Sequence, residues 1–161
     1  MDIVDVLLGD GHALRWRDPE IIVARLRLEC QLAKFGVQCR LLAGGDNPSG
    51  LASAELYDPN TRRWSATGSM TSVHARGIAV LLQTGGVLVA GGANAQTGDV
   101  YSPGTGTWTA TGPLVDPQPQ YSAAAPLPNG QVLYAGGYTT TCDVNYNCYT
   151  EVYANAELYT P

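Results

Sequence analysis

Side chains able to do chemistry are few in this sequence. His12 and His74 are its two histidines, and imidazole is the side chain that exchanges its proton near neutral pH. Neither stands in a Ser-His-Asp order, an H-E-x-x-H run or beside paired C-x-x-C units, so acyl transfer and zinc hydrolysis have no visible machinery. The GTGTW run at 104–108 reads as a strand turn with no helix after it, not as a phosphate loop. His74 lies beside Arg76 in a polar connection. Two readings of it stay open: a surface-loop histidine, or a side chain that lines a ligand pocket together with Arg76.

Cys142 and Cys148, six residues apart in TTTCDVNYNCYTEVYAN, read best as a local disulfide, which would imply an oxidising compartment. The competing arrangement is two free thiols. A metal site is disfavoured, because no histidine or second cysteine pair lies nearby in sequence. Spacing does not decide whether Cys30 and Cys39 pair. Asp143, Asn145, Asn147 and Glu151 offer oxygen atoms at alternating positions, which invites calcium. The run lacks the glycine and terminal glutamate of a calcium-binding EF-hand loop, so a hydrogen-bonded, solvated loop is the preferred reading. No cofactor and no metal are expected.

Bulk properties narrow the partners. The formal net charge is −5, and downstream of Arg40 only Arg62, Arg63 and Arg76 are basic, which argues against nucleic acid. No apolar run is long enough for a membrane span. The start, MDIVDVLLGDGH, carries no signal peptide pattern. Charged residues make up 14% of the chain and Gly plus Pro fill 29 positions, which suits short strands joined by turns.

The elements that must position these residues recur. Gly44-Gly45, Gly91-Gly92 and Gly136-Gly137 are spaced by 47 and 45 residues, while Tyr57 to Tyr101 and Trp64 to Trp108 are each 44 apart. Such a period marks a repeat architecture. CRLLAGG, GVLVAGG and QVLYAGG are apolar runs of strand length, suited to burial on both faces. SAELYD and TGDVYS alternate as strands, and RRWSAT and GTWTAT are outer strands whose tryptophan should be buried with its indole N–H on an acceptor. Four antiparallel strands per repeat put the loops at 46–52, 93–98 and 138–153 on one face with the crossings at 70–77 and 113–121. That face is the expected binding face. Its candidate residues are Asp46, Asn47, His74, Arg76, Asn94, Tyr138, Asp143 and Tyr146.

Residues 1–40 differ in texture, with twelve charged positions against eleven in the remaining 121. Asp18-Pro19-Glu20 before IIVARLRLECQLAKF, with Gly36 after it, predicts a helix over 19–35. Against this, Leu26, Leu28, Cys30 and Leu32 alternate with Arg27, Glu29 and Gln31 in strand fashion.

The order of a strand such as GVLVAGG, then SAELYDP, then a tryptophan strand such as GTWTATG, resembles the bacterial kelch-like repeat, written roughly VLVAGG, AELYDP, TGTW, TATGSM and related to the central propeller of galactose oxidase. The resemblance covers about residues 37–161. It implies an all-β fold of kelch-type propeller blades, two complete and one partial, at about 37–68, 75–112 and 121–161, after a divergent segment 1–36. Since propellers close with more blades than this, the chain is expected to be a piece of a larger propeller or to self-associate through its open edges. The function expected is a non-catalytic module for a protein or glycan ligand, in a parent that is extracellular or at the cell surface. The alternative is part of a propeller-type carbohydrate-active enzyme, an oxidase or sugar epimerase. Galactose oxidase is a copper enzyme, but no tyrosine here matches its metal ligands: Tyr57, Tyr101 and Tyr159 hold the repeat's structural tyrosine position.

Overall fold

A computed structural model describes residues 24–29, 38–45, 50–92, 95–115 and 120–161. They form an all-β chain. The first sheet is β1 (Ala24–Glu29), β2 (Gln38–Ala43), β3 (Ala54–Asp58) and β4 (Arg63–Ala66), paired in that order. The second repeats it with β5 (Ile78–Leu81), β6 (Val87–Ala90), β7 (Thr97–Ser102) and β8 (Thr107–Pro113). In the third, β9 (Ala123–Pro126) pairs with β10 (Val132–Ala135), and β10 with β13 (Ala156–Tyr159). A separate hairpin of β11 (Tyr138–Cys142) and β12 (Cys148–Val152) is inserted between β10 and β13. All these pairings are antiparallel. Strand β1 lies beside β5, and β5 beside β9, so the first strands gather on one side and the sheets fan outward as blades.

The helix expected over 19–35 does not form at residues 24–29, and the first sheet begins earlier than residue 37. Residues Ala24 to Glu29 pair in continuous register with Ala43 to Gln38. Helix-capping signals act over one turn and contribute about 1 kcal/mol each, whereas a six-residue ladder satisfies the backbone along the whole segment. The strand period of the sequence wins. The remainder of 19–35 lies outside the described residues.

Two cores lie between the sheets. Leu41, Ala43, Ala54 and Met70 pack against Val87, Val89, Tyr101 and Trp108 of the second sheet. Val80, Leu82, Leu88 and Ala90, from the opposite face of that sheet, pack against Val132 and Tyr134. Strand β6 is therefore buried at all four positions, as its apolar run predicts. The Tyr–Trp spacing also has a physical meaning. Tyr57–Trp64 and Tyr101–Trp108 face each other across neighbouring strands with centroids 5.1 and 4.9 Å apart and both at 46°. The Trp108 indole donates to Gly68 O at 2.7 Å.

The glycine pairs permit close passage of the crossings. Gly92 has φ +92°, and a Cβ there would collide with Ala75 O. A Cβ on Gly77 would lie 2.7 Å from Ala90 O. Two stretches of backbone thus touch without side chains between them.

Candidate functional site

The first crossing, residues 67–77, is held on both sides by backbone bonds. Met70 N donates to Ala52 O, His74 N to Leu51 O, and Gly45 N to His74 O. On the other side it meets the Asp99 carboxylate, presented by β7. Thr71 N (3.0 Å) and Thr71 Oγ1 (2.6 Å) donate to Oδ1, while Ser72 N (3.2 Å) and His74 Nε2 (3.0 Å) meet Oδ2. His74 Nδ1 is 2.8 Å from Gly91 O. His74 and Asp99 are both fully buried. Burial alone would raise the carboxyl pKa of Asp99, but the bonds from His74 and Thr71 outweigh it and hold the group below its ordinary value. Both ring nitrogens of His74 thus face oxygen atoms, one the Asp99 carboxylate and the other the Gly91 carbonyl. His74, a candidate for the binding face, therefore sits inside the protein and ties the crossing to the second sheet.

The same device recurs in reduced form. Glu157, at the Asp99 position of the third repeat, accepts from Val115 N at 3.0 Å, and Val115 stands 44 residues after Thr71.

The second crossing brings other candidates together at the surface. Gln120 and Tyr138 exchange backbone bonds of 3.0 and 2.9 Å, and Tyr121 N donates to Arg76 O at 3.1 Å. The Tyr121 and Tyr138 rings stack at 4.8 Å and 15°. They remain 47% and 38% exposed, so water covers only part of the stack. The Arg76 guanidinium lies 6.0 Å from the Tyr121 centroid and donates through Nη1 to Gln120 Oε1 at 3.1 Å. Arg76 and Tyr121 both have positive φ, 62° and 56°, a backbone state uncommon for such side chains.

Arg76 and Tyr138 are thus two candidates that share one patch, and Tyr121 is a member that the sequence reasoning did not single out. Its signal was available: Tyr121 stands 45 residues after Arg76, at the end of the equivalent crossing. Asp143 and Tyr146 lie at the tip of the inserted hairpin. There Asp143 Oδ1 accepts from Asn145 N and Asn147 N, and Oδ2 accepts from Asn147 Nδ2. The Asn147 bonds hold the Asp143 carboxyl below its usual range. The Asp143 oxygens, part of the set that suggested calcium, close the turn, while Glu151 accepts from Tyr153 Oη at 3.3 Å and Tyr146 projects 90% exposed. Cys142 and Cys148 face each other in register and form a disulfide. Cys39 is also disulfide-bonded; Cys30, Asp46, Asn47 and Asn94 lie outside the described residues.

No family model matches the chain, and no curated protein matches it. Among solved structures, a fungal alcohol oxidase of the AA5 family in complex with copper is similar in fold, with a TM-score of 0.57 and 16% sequence identity. The match covers 89% of this chain and 31% of that one, so this chain spans about a third of the length of its structural neighbour. The likeness establishes an all-β, propeller-like fold. The residues described here do not fit a copper centre. Among them no group of three or more His, Cys, Asp or Glu could hold a metal, and both ring nitrogens of His74 are engaged by Gly91 and Asp99. No described helix is long and apolar enough to cross a membrane.

Proposed function

We propose that this chain is a non-catalytic recognition module, for a protein or a glycan, within a larger kelch-like propeller protein that works outside the cell or at its surface. The Tyr121–Tyr138 stack over Arg76 carries this reading. Exposed aromatic faces bind the apolar C–H face of a sugar ring or a flat side chain of a partner. Arg76 and Gln120 add donors at the edge of the platform. The Cys142–Cys148 disulfide fits an oxidising compartment.

The test is retention on immobilised glycans and on candidate partner proteins, compared between the native chain and the Tyr121→Ala, Tyr138→Ala double variant. Loss of both rings should weaken binding by about tenfold or more, since each aromatic contact contributes about 0.5–1.5 kcal/mol. Undiminished retention of a folded double variant would sink the reading.

The fold likeness to an alcohol oxidase favours a second reading, in which the chain is part of a carbohydrate-active oxidase. In that reading the catalytic groups would come from outside the described residues, among which no group of three or more His, Cys, Asp or Glu could hold a metal. Copper-dependent oxidation by a longer protein that carries this segment, with no turnover by the segment itself, would favour it.

A further inference from the structure

Strand β12 presents an outer edge of backbone groups that the inserted hairpin does not use. Gly137 and Tyr153, and likewise Asp143 and Asn147, are directly opposed and joined by backbone bonds of 2.9 Å. In an antiparallel ladder such pairs alternate with pairs that do not bond each other. Tyr138–Val152, Thr140–Thr150 and Cys142–Cys148 are the alternating pairs, so their N–H and C=O groups point away from the hairpin. Tyr138 shows this directly, because it exchanges bonds of 2.9 and 3.0 Å with Gln120 on the far side of β11. On β12 the outward direction falls to Cys148, Thr150 and Val152, and among the described residues no backbone group meets them. All five residues of the strand are exposed. Exposed edges are commonly guarded by cationic side chains or proline: β4 carries Arg63, and β8 ends on Pro113. Strand β12, CYTEV, has neither, its one charge is Glu151, and its pairing with β11 runs in continuous register.

We propose that this edge pairs with the same edge of a second copy of the chain, antiparallel and about a two-fold axis at Thr150, so that the two-stranded sheets of two hairpins join into one. The strand is complementary to itself position by position. Thr150 faces Thr150 of the second copy, and Cys148 faces Val152 of the second copy, so every outward N–H and C=O of the strand gains a partner. Val152 then lies beside the Cys142–Cys148 disulfide of the second copy, an apolar contact on one face of the joined sheet. Tyr149 stands opposite Glu151 of the second copy, which keeps the strand's one charge off its own image. The neighbouring registers are poorer. An axis at Glu151 sets two like charges directly opposite each other, and an axis at Tyr149 leaves Val152 beyond the end of the second strand. A contact this short is small for a stable dimer, so the pairing is weak and reversible. It does not depend on the recognition role of the Tyr121–Tyr138 stack, and it uses a different surface from Leu133 and Leu158 of the third sheet.

Backbone amide hydrogen exchange of the native chain, followed from about 10 μM to about 1 mM where weak contacts fill, reads the ladder directly. Exchange at Cys148, Thr150 and Val152 should slow as concentration rises, while sedimentation shows monomer passing to dimer. Thr150→Glu and Thr150→Lys each set like charges across the axis, and each alone should associate about fivefold or more weakly than the native chain. An equimolar mixture of the two should recover association, as only pairing of the edge with itself allows. Leu133→Lys, Leu158→Lys should keep the slowed exchange. Fast exchange at the three amides at every concentration, loss of their protection in the leucine variant, or no recovery in the mixture would overturn the proposal. So would a blocked Thr-Val-Thr-Val-Thr peptide that slows the three amides while the native chain alone stays monomeric, since the edge would then belong to a foreign strand. Because exchange against concentration is read on the native chain, the test stands even if a variant does not fold. Loss of glycan or partner retention in the tyrosine double variant would leave this result untouched.

Discussion

The second and third sheets are built from one repeat but live in different surroundings. Leu88 in β6 is 3% exposed, while its counterpart Leu133 in β10 is 38% exposed. Tyr101 is fully buried against the first sheet and bonds to Thr67. Tyr159 at the same position is half-buried, enough for its hydroxyl pKa to be raised by desolvation. The Asp99 carboxylate gathers four donors, while among the described residues the Glu157 carboxylate accepts from one backbone N–H. Neighbours make the difference: the second sheet is packed on both faces, and the described part of the third on one. A repeat of this kind carries half of two interfaces, and its stability is a property of the pair, not of the sheet alone.

The largest effect should come from breaking the buried clasp. Asp99→Ala leaves His74 Nε2, two backbone N–H groups and a hydroxyl without the acceptor they share inside the protein, and each buried donor left unsatisfied costs about 1–3 kcal/mol. Glu157→Ala loses one half-exposed hydrogen bond, about 0.5–1.5 kcal/mol. Equilibrium denaturation of both variants checks the contrast, and equal losses would dissolve it. Next in size is the apolar pair. Leu88→Ala should cost about 2–5 kcal/mol, and Leu133→Ala less than half as much because its surface is already partly wet.

The open face of the third sheet also has a consequence for assembly. Leu133 and Leu158, which pair across β10 and β13, are 38% and 54% exposed, whereas the equivalent Leu88 and Val100 are covered by the next sheet. A second copy of the chain that seats its own sheet there would continue the stacking already present. Sedimentation should then show association that rises with concentration and falls in a Leu133→Lys, Leu158→Lys variant. A concentration-independent monomer would rule this out.

Acid separates the two sheets in a graded way. The folded pKa of Asp99 is lowered from 3.8, so its stabilising contribution is fully present above that value and is lost as pH falls through the lower, folded one. Stability should decline on acidification below about pH 4, and Asp99→Asn should flatten that part of the profile. A profile unchanged in this variant would mean that other carboxylates carry the acid transition.

Much of this arrangement could be read from residue spacing, and the exceptions share a cause. The glycine pairs, tyrosines and tryptophans recur at fixed spacing because each does the same local job, and the two Tyr–Trp pairs have the same tilt. Strand β1 escaped because Asp18-Pro19-Glu20 and Gly36 are local signals for a helix, while its pairing partner β2 lies downstream and outweighs them. The burial of His74 escaped because its acceptor, Asp99, is 25 residues away, and a polar connection looks solvated until its partner is known. Only the comparison of Glu55, Asp99 and Glu157 across repeats marks the position as one that recurs. The stack of Tyr121 on Tyr138 needed the crossing and the hairpin to be placed together.

The smallest global effect should come from the one covalent link whose two ends are both described. The Cys142–Cys148 bond closes a six-residue separation at the end of a hairpin whose residues from Thr140 to Val152 are all exposed. A cross-link stabilises chiefly by restricting the unfolded chain, and a short loop restricts little of it. The hairpin also contributes no residue to either core cluster. Replacing both cysteines by serine should therefore leave the main thermal transition nearly unchanged, while hydrogen exchange accelerates at Thr140 and Thr150, which pair across the strands. Near its base, Tyr138 is held independently by its backbone bonds to Gln120, so exchange there should hardly change. A large fall in the main transition would mean that the hairpin folds as part of the third sheet, and the contrast between an integrated second repeat and a decorated third would have to be redrawn.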